Sequence, residues 1–324
     1  MRILFMGTPD IARESLDNLY NAGYEICGVV TPPDRPSGRG MKLIASPVKE
    51  YALEKGLKIF QPEKITNNTE FKDEIKALNP DVVCVVSYGV ILPKSFLKIP
   101  KYGCVNVHPS MLPKYRGAAP IQWAILNGDE TTGVTIMYLD EGMDSGDIIV
   151  QEEVKINPDE TTGELWNRLS SIGARLLKES VDKIADGTVT RRVQPDEYTL
   201  APMLSKEMAK IEWSEKTAQE IKNLVRGLNP IMGTYSFMNG KKIKIWRVQV
   251  LTEKELLEKV EGRFEYSLDG KEGTVLVANE KVGLFIKAKD AIISVLEIQG
   301  ENAKRMNVND FLRGNKIQIG EIFE

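Results

Sequence analysis

One histidine, His108, serves all 324 residues, so chemistry that needs an imidazole near neutral pH has a single candidate. A zinc site of Cys/His type has too few ligands: the three cysteines, Cys27, Cys84 and Cys104, show no C-x-x-C spacing and lie in apolar, strand-like runs. Reduced, buried thiols of this kind fit the cytoplasm. No apolar run approaches the ~20 residues that a membrane-spanning helix needs, and the opening MRILFMGTPD reads as strand and turn rather than as a secretion signal. No G-x-G-x-x-G follows the first strand, which leaves dinucleotide binding with little support. A net charge of −3 makes no general case for nucleic acid, although a weakly acidic whole can carry local basic patches.

What is present is alternation. Residues 2–6 read as a buried strand, Gly7 as a turn, Thr8 as an N-cap and Pro9 as the first residue of a helix with Ile11, Leu16 and Leu19 on its buried stripe. A strand at 26–31 completes a βαβ unit. Helix 46–55, strand 58–61, helix 69–78, strand 82–87, a central strand ending at His108, helix 120–126 and strand 134–139 follow. A long amphipathic helix, 161–185, carries Leu165, Leu169, Ile172, Leu176 and Leu177. The fold class is α/β, a doubly wound, mainly parallel sheet. Residues 186–206 lack periodicity and read as a linker. After a short helix at 217–228, five short strands separated by Gly, Asn and Asp turns predict a small β-barrel. The expected organisation is a first domain at 1–188, a linker at 189–206 and a barrel domain at 207–324.

Chemistry concentrates between Gly103 and Gly146. Period-two alternation sends Asn106 and His108 to one face of the central strand and Val105 and Val107 to the other, and Pro109 ends regular pairing. Strand 134–139 runs into a turn-rich loop with three carboxylates, Asp140, Glu141 and Asp144. If the two strands are neighbours, one carboxylate reaches the imidazole and sets its tautomer. An Asn donor, a His and an Asp at strand ends make an acyl-transfer site.

Two stretches are basic. Residues 32–43, PPDRPSGRGMKL, form a long Pro- and Gly-rich loop with Arg35, Arg39 and Lys42, suited to a polyanionic substrate. The strand Lys241, Lys242, Ile243, Lys244, Ile245, Trp246, Arg247 alternates cation and apolar residue, as a barrel face that binds oligonucleotides does.

Over essentially its whole length the chain resembles the methionyl-tRNA formyltransferases. The resemblance rests on ILFMGTPD, PDRPSGRGMKL, NVHPSMLPKYRGAAPIQ, DEGMDSGDI and the terminal barrel. It implies a Rossmann-like formyltransferase domain followed by an OB-like barrel that binds tRNA. It also implies transfer of a formyl group from 10-formyltetrahydrofolate to the amine of methionyl initiator tRNA, by a cytoplasmic monomer with no metal and no membrane association. Asn106, His108 and Asp144 match the family's catalytic trio. Ser110, Met111, Leu112 and Pro113 match its folate-binding segment, with Met111 where Leu is commoner. Val90, Ile91, Leu92 and Asp140 lie where main-chain groups hold the pterin. Arg39 matches a loop arginine associated with the acceptor end of the initiator tRNA, and Arg35, Lys42, Lys241, Lys242, Lys244 and Arg247 are the accompanying cations. A sugar-nucleotide formyltransferase with the same folate donor is the alternative; a glycinamide ribonucleotide formyltransferase would not need the second domain, and a non-catalytic RNA-binding module would leave the Asn, His and Asp unexplained.

Overall fold

A computed structural model describes residues 1–37 and 42–324. The chain divides into two compact units, one of Met1–Pro120, Thr131–Lys155 and Trp166–Pro202, the other of Ile121–Glu130, Ile156–Leu165 and Met203–Glu324. Among the described residues, no helix is long and apolar enough to cross a membrane.

Elements in the first part of the chain are β1 (Arg2–Gly7), α1 (Asp10–Asn21), β2 (Glu25–Val30), β3 (Arg35–Ser37), β4 (Lys42–Ile44), α2 (Pro47–Glu54), β5 (Ile59–Phe60), α3 (Thr69–Ala77), β6 (Val82–Val86), α4 (Lys94–Leu97), β7 (Cys104–His108), α5 (Pro120–Leu126), β8 (Thr131–Tyr138), β9 (Ile148–Lys155) and α6 (Thr162–Ala185). Seven of these strands form one sheet in the order β5-β2-β1-β6-β7-β8-β9. The first five run parallel, and β8 and β9 are added antiparallel. β1 and β6 read as continuous apolar runs because a central strand of a doubly wound sheet is covered on both faces. α1 buries Ile11, Leu16 and Leu19 as expected, and α6 buries Leu165, Leu169, Leu176 and Leu177, with Ile172 only partly covered. One cap differs from expectation. Pro9 is extended at the N-cap, so α1 starts at Asp10, and the Thr8 hydroxyl, expected as the cap, has no partner.

The second part holds α7 (Ala218–Gly227), β10 (Thr234–Met238), β11 (Lys241–Leu251), α8 (Glu253–Val260), β12 (Val275–Asn279), β13 (Gly283–Lys287), β14 (Ile292–Gln299), β15 (Met306–Asn307) and α9 (Val308–Gly314). Its antiparallel sheet runs β10-β11-β14-β13-β12, with β15 on β14. Both edges are bonded to the last residues of the chain. Phe237 on β10 exchanges two main-chain bonds with Glu324 (2.8 and 2.7 Å), while Val275 N–H on β12 donates to the Glu321 carbonyl (2.8 Å) and Phe323 N–H to that of Gly273 (2.9 Å). The terminal segment thereby satisfies groups that two sheet edges would otherwise leave open. Phe323 is fully buried, 6.2 Å from the Trp213 ring.

The unit boundaries do not follow a single cut at 188. Buried Arg226 on α7 donates to the Asn157 and Glu160 carbonyls (3.3 Å each), and the Thr162 hydroxyl donates to the Gly227 carbonyl (2.7 Å). Residues 156–165 are thus held by α7. Residues 189–202, expected as a linker, lie with the first unit: Arg192 exchanges main-chain bonds with Ile148, and Thr199 and Ala201 bond to residues 113–119.

The Phe323→Ala variant is expected to destabilise the second unit by about 3–5 kcal/mol, read from the urea midpoint. A midpoint matching that of the parent protein would show that the terminal segment does not hold the sheet together.

Candidate active site

Strand parity puts Asn106 and His108 on one face of β7, and Val107 on the other, against Gly173 of α6. β8 lies beside β7, with His108 opposite Thr135 and Asn106 opposite Met137. The two strands are neighbours, but they run antiparallel. The exit of β8 therefore lies beside the start of β7, where Leu139 N–H donates to the Cys104 carbonyl (2.8 Å). Asp144 reaches the imidazole only because the loop from 139 to 147 turns back along β7, and its Oδ2 stands 3.6 Å from His108 Nδ1. The expected pair of adjacent strand exits is thus one strand exit and one returning loop.

The three loop carboxylates separate by environment. Asp140 accepts from Gly142 N–H (2.9 Å) and the Ser145 hydroxyl (2.8 Å) and shapes the loop. Glu141 pairs with Lys94. Asp144, with 18% of its side chain exposed against 5% for His108, accepts from Gly117 N–H at 2.8 Å.

His108 Nε2 lies 2.9 Å from the Tyr115 carbonyl oxygen. A carbonyl only accepts, so a hydrogen sits on Nε2, and Nδ1 faces Asp144. A carboxylate was expected to set the tautomer; a main-chain carbonyl sets it instead, since 3.6 Å exceeds hydrogen-bond length.

Loop 110–117 is anchored from two sides. Thr135, buried opposite His108, accepts from Leu112 N–H (3.2 Å) and donates to the Ser110 carbonyl (2.6 Å), and Gln151 on β9 donates to Thr135 and to the Leu112 carbonyl (2.8 Å each). Tyr115 N–H donates to the Thr199 hydroxyl (2.8 Å) and Arg116 N–H to the Thr199 carbonyl (2.9 Å). Tyr115 has φ +63°, a conformation a bulky residue keeps only when its surroundings over-determine it. Gly117 has φ +121°, and a Cβ there would come within 2.8 Å of the Ala201 carbonyl, so this position demands glycine.

Residues 1–181 match the family model described as formyl transferase, and residues 203–316 that of the formyl transferase C-terminal domain. The chain is 47% identical to the methionyl-tRNA formyltransferase of Clostridioides difficile over 99% of both chains, and 43% identical to that of Caldanaerobacter subterraneus over the full length of both. The chain belongs to the methionyl-tRNA formyltransferase family. Solved structures share the fold. An N-formyltransferase from Helicobacter canadensis, complexed with folinic acid and dTDP-3-aminofucose, superposes with TM-score 0.64 at 22% identity, covering 90% of this chain and 98% of its own. HypX from Aquifex aeolicus in complex with tetrahydrofolic acid gives 0.64 at 15%, with 99% of this chain spanning 50% of that longer one.

In this formyltransferase the expected folate segment builds the loop with its side chains. The buried Ser110 hydroxyl donates to the Lys114 carbonyl (2.6 Å), Leu112 packs with Met137 and Ile148, and the Pro113 carbonyl accepts from Thr199 N–H. Met111 lies over Gly133, where the missing side chain gives the thioether room. Of the second group, Val90 and Ile91 are 49% and 67% exposed and Leu92 is buried. An open cleft of about 430 Å3 separates Lys94, Leu97 and Lys98 from Leu139, Asp140 and Gly142. Burial pushes the Cys104 thiol up to about 12 and the Cys84 thiol further, so neither is a nucleophile at neutral pH.

The cations expected to meet tRNA are not equivalent. Arg35 is exposed at the start of β3, Lys42 opens β4, and Arg39 lies outside the described residues. On β11, Lys241 and Lys242 are exposed, Lys242 lying 3.5 Å from the Tyr235 ring centroid, whereas Lys244 donates to the Met232 carbonyl (3.0 Å) and Arg247 pairs with Glu164 (3.1 Å). Strict alternation would set Arg247 on the face opposite Lys242 and Lys244; the register shift at Trp246, with Ile245 and Trp246 both buried, turns Arg247 outward with them.

Tyr115, Gly117, Thr135 and Gln151 were not singled out from the sequence. Tyr115 and Gly117 act through main-chain groups. Thr135 does carry a signal, as the polar position among Val134, Ile136 and Met137. Thr135→Val is expected to cost about 1–3 kcal/mol by orphaning loop groups, seen in thermal unfolding together with a fall in turnover. Unchanged unfolding and turnover would remove Thr135 from the support of this site.

Proposed function

We propose that this chain transfers the formyl group of 10-formyltetrahydrofolate to the α-amine of methionyl initiator tRNA in the cytoplasm, with Asn106, His108 and Asp144 at the reacting centre. The observation that carries the residue assignment is the enclosed His108–Asp144 pair, with Nδ1 and Oδ2 facing each other at 3.6 Å and each residue anchored to the chain on its other side. The names of relatives aligned over the whole chain support the acceptor, and the resemblance of the sequence to that family supports the folate donor.

Attack of the amine forms a carbon–nitrogen bond to the formyl carbon and moves negative charge onto the formyl oxygen. Breaking the bond to the folate nitrogen completes the transfer, and one proton passes from the amine to that leaving nitrogen. The Asn106 amide supplies a hydrogen-bond donor where the oxygen gains charge, a contribution on the order of 10²–10³ in rate. His108 offers the Nδ1 lone pair to the amine proton and, once protonated there, donates to the same oxygen. Asp144 stabilises that imidazolium and helps relay the proton, directly or through water, to the leaving nitrogen, proton transfer being worth about 10²–10⁴-fold.

The folate ring system would lie near Val90 and Ile91, which are exposed, and near the 140–144 loop, which borders an open cleft. Arg35, Lys42, Lys241 and Lys242, with Arg39, would meet the tRNA backbone.

Initiator methionyl-tRNA, methionyl elongator tRNA and an amino-sugar nucleotide, each supplied with 10-formyltetrahydrofolate, test the reading. Formylation of the initiator alone is expected; formylation of the sugar instead would overturn the acceptor. Asn106→Ala, His108→Ala and Asp144→Asn should each lose turnover by on the order of 10²-fold or more while keeping the circular dichroism of the folded protein. A His108→Ala enzyme that retains most of its activity would sink the assignment. Between about 50 and 200 mM salt, KM for the tRNA should rise steeply and KM for the folate should change little.

A further inference from the structure

We infer that Gln194, in the segment expected to be a linker, is a positioning residue that fixes the main chain on both sides of Asp144. Its Nε2 donates to the Asp144 carbonyl (2.9 Å) and to the Gly146 carbonyl (2.8 Å), and its Oε1 accepts from Arg116 Nε (3.1 Å) and Nη2 (2.7 Å). An amide has two N–H groups and two carbonyl lone pairs, and here all four are used. Gln194 is 7% exposed, so none of these bonds competes with bulk water. The inference rests on the reading that Asp144 handles the proton at His108.

The loop cannot hold this geometry unaided. Asp144 has φ +49° and stands between Gly142 and Gly146, so the backbone has several other conformations of similar energy. Gln194 removes that freedom from the main-chain side, and the Gly117 N–H bond to Oδ2 removes it from the side-chain side. Both restraints trace to one short stretch. Arg116, whose guanidinium holds Oε1 and lies 4.5 Å from the Tyr198 ring centroid, sits between Tyr115, which holds His108 Nε2, and Gly117, which holds Asp144. Gln194 therefore locks the segment that positions the imidazole to the loop that positions the carboxylate. Reacting groups displaced by about 1 Å lose on the order of 10²-fold in rate.

Gln194→Glu and Gln194→Met separate this role from simple packing. The glutamate keeps the volume and both Arg116 bonds, as an ion pair, while it removes the donors and sets a carboxylate against two carbonyl oxygens. The methionine removes all four bonds at similar volume. For folded Gln194→Glu and Gln194→Met, kcat is expected to fall by about 10²-fold, a larger change than any in KM for the formyl donor. For Gln194→Glu, the ratio of its kcat to that of the parent should rise as pH falls, because the introduced carboxyl regains one donor on protonation. A packing role alone would lower the melting temperature and leave kcat of the folded protein intact, which would overturn the inference. Asp144→Asn, measured alongside, keeps the two ideas apart. If it is inactive while both Gln194 variants turn over at the parent rate, the inference fails and the reading of Asp144 stands. If Asp144→Asn itself turns over normally, the reading fails and takes the inference with it.

Discussion

The hydrogen bond from His108 Nε2 to the Tyr115 carbonyl is the constraint on which the site depends. Because a carbonyl can only accept, it leaves the neutral ring a single tautomer and turns Nδ1 toward Asp144. Its cost is a bulky residue in the left-handed region and a tight glycine two positions later. Those conformations persist because Thr135 and Gln151 hold the loop from the sheet and Thr199 and Ala201 hold it from the segment beyond α6. Buried and fully partnered, such a network is rigid, and a partial loss leaves polar groups without water or partner.

Sheet order supplies the rest. Five parallel strands carry the chain to β7, and the direction change at β8 sets Thr135 opposite His108 while it sends the carboxylate loop to the far end of the strand. The loop must then return across the face that Asn106 and His108 occupy. Gln194 lies on that same face, against Met137, which pairs with Asn106. A polar layer thus forms on a surface that strand parity alone would have left as one amide and one imidazole. The second unit solves a different problem, the edges of an antiparallel sheet, with main-chain bonds from the terminal segment and the burial of Phe323.

Much of this was legible in the residues. The alternation of strands and helices, the amphipathic stripe of α6, and the shared face of Asn106 and His108 follow from periods of 3.6 and 2, which are properties of local backbone geometry. Helices were expected to begin at Ser46 and Thr217, where each hydroxyl meets a free N–H three residues on. The single histidine and the carboxylate-bearing loop marked the proposed reacting groups without any tertiary information.

Tertiary structure decided the rest, for identifiable reasons. A strand's side-chain pattern reads the same in both directions, so nothing in 134–139 says that it runs antiparallel to β7 or that Asp144 arrives on a returning loop. The Tyr115 carbonyl and the Gly117 N–H belong to the main chain, which carries no residue code. Gln194 lies 50 residues from Asp144 in an aperiodic stretch, where only the folded chain brings its amide to two carbonyls. The bulge at Trp246 depends on the pairing of β11 with β14, and it resets which face of the strand Arg247 occupies. The chain's own residues chose the chemistry and its approximate place; long-range pairing chose which atoms face each other.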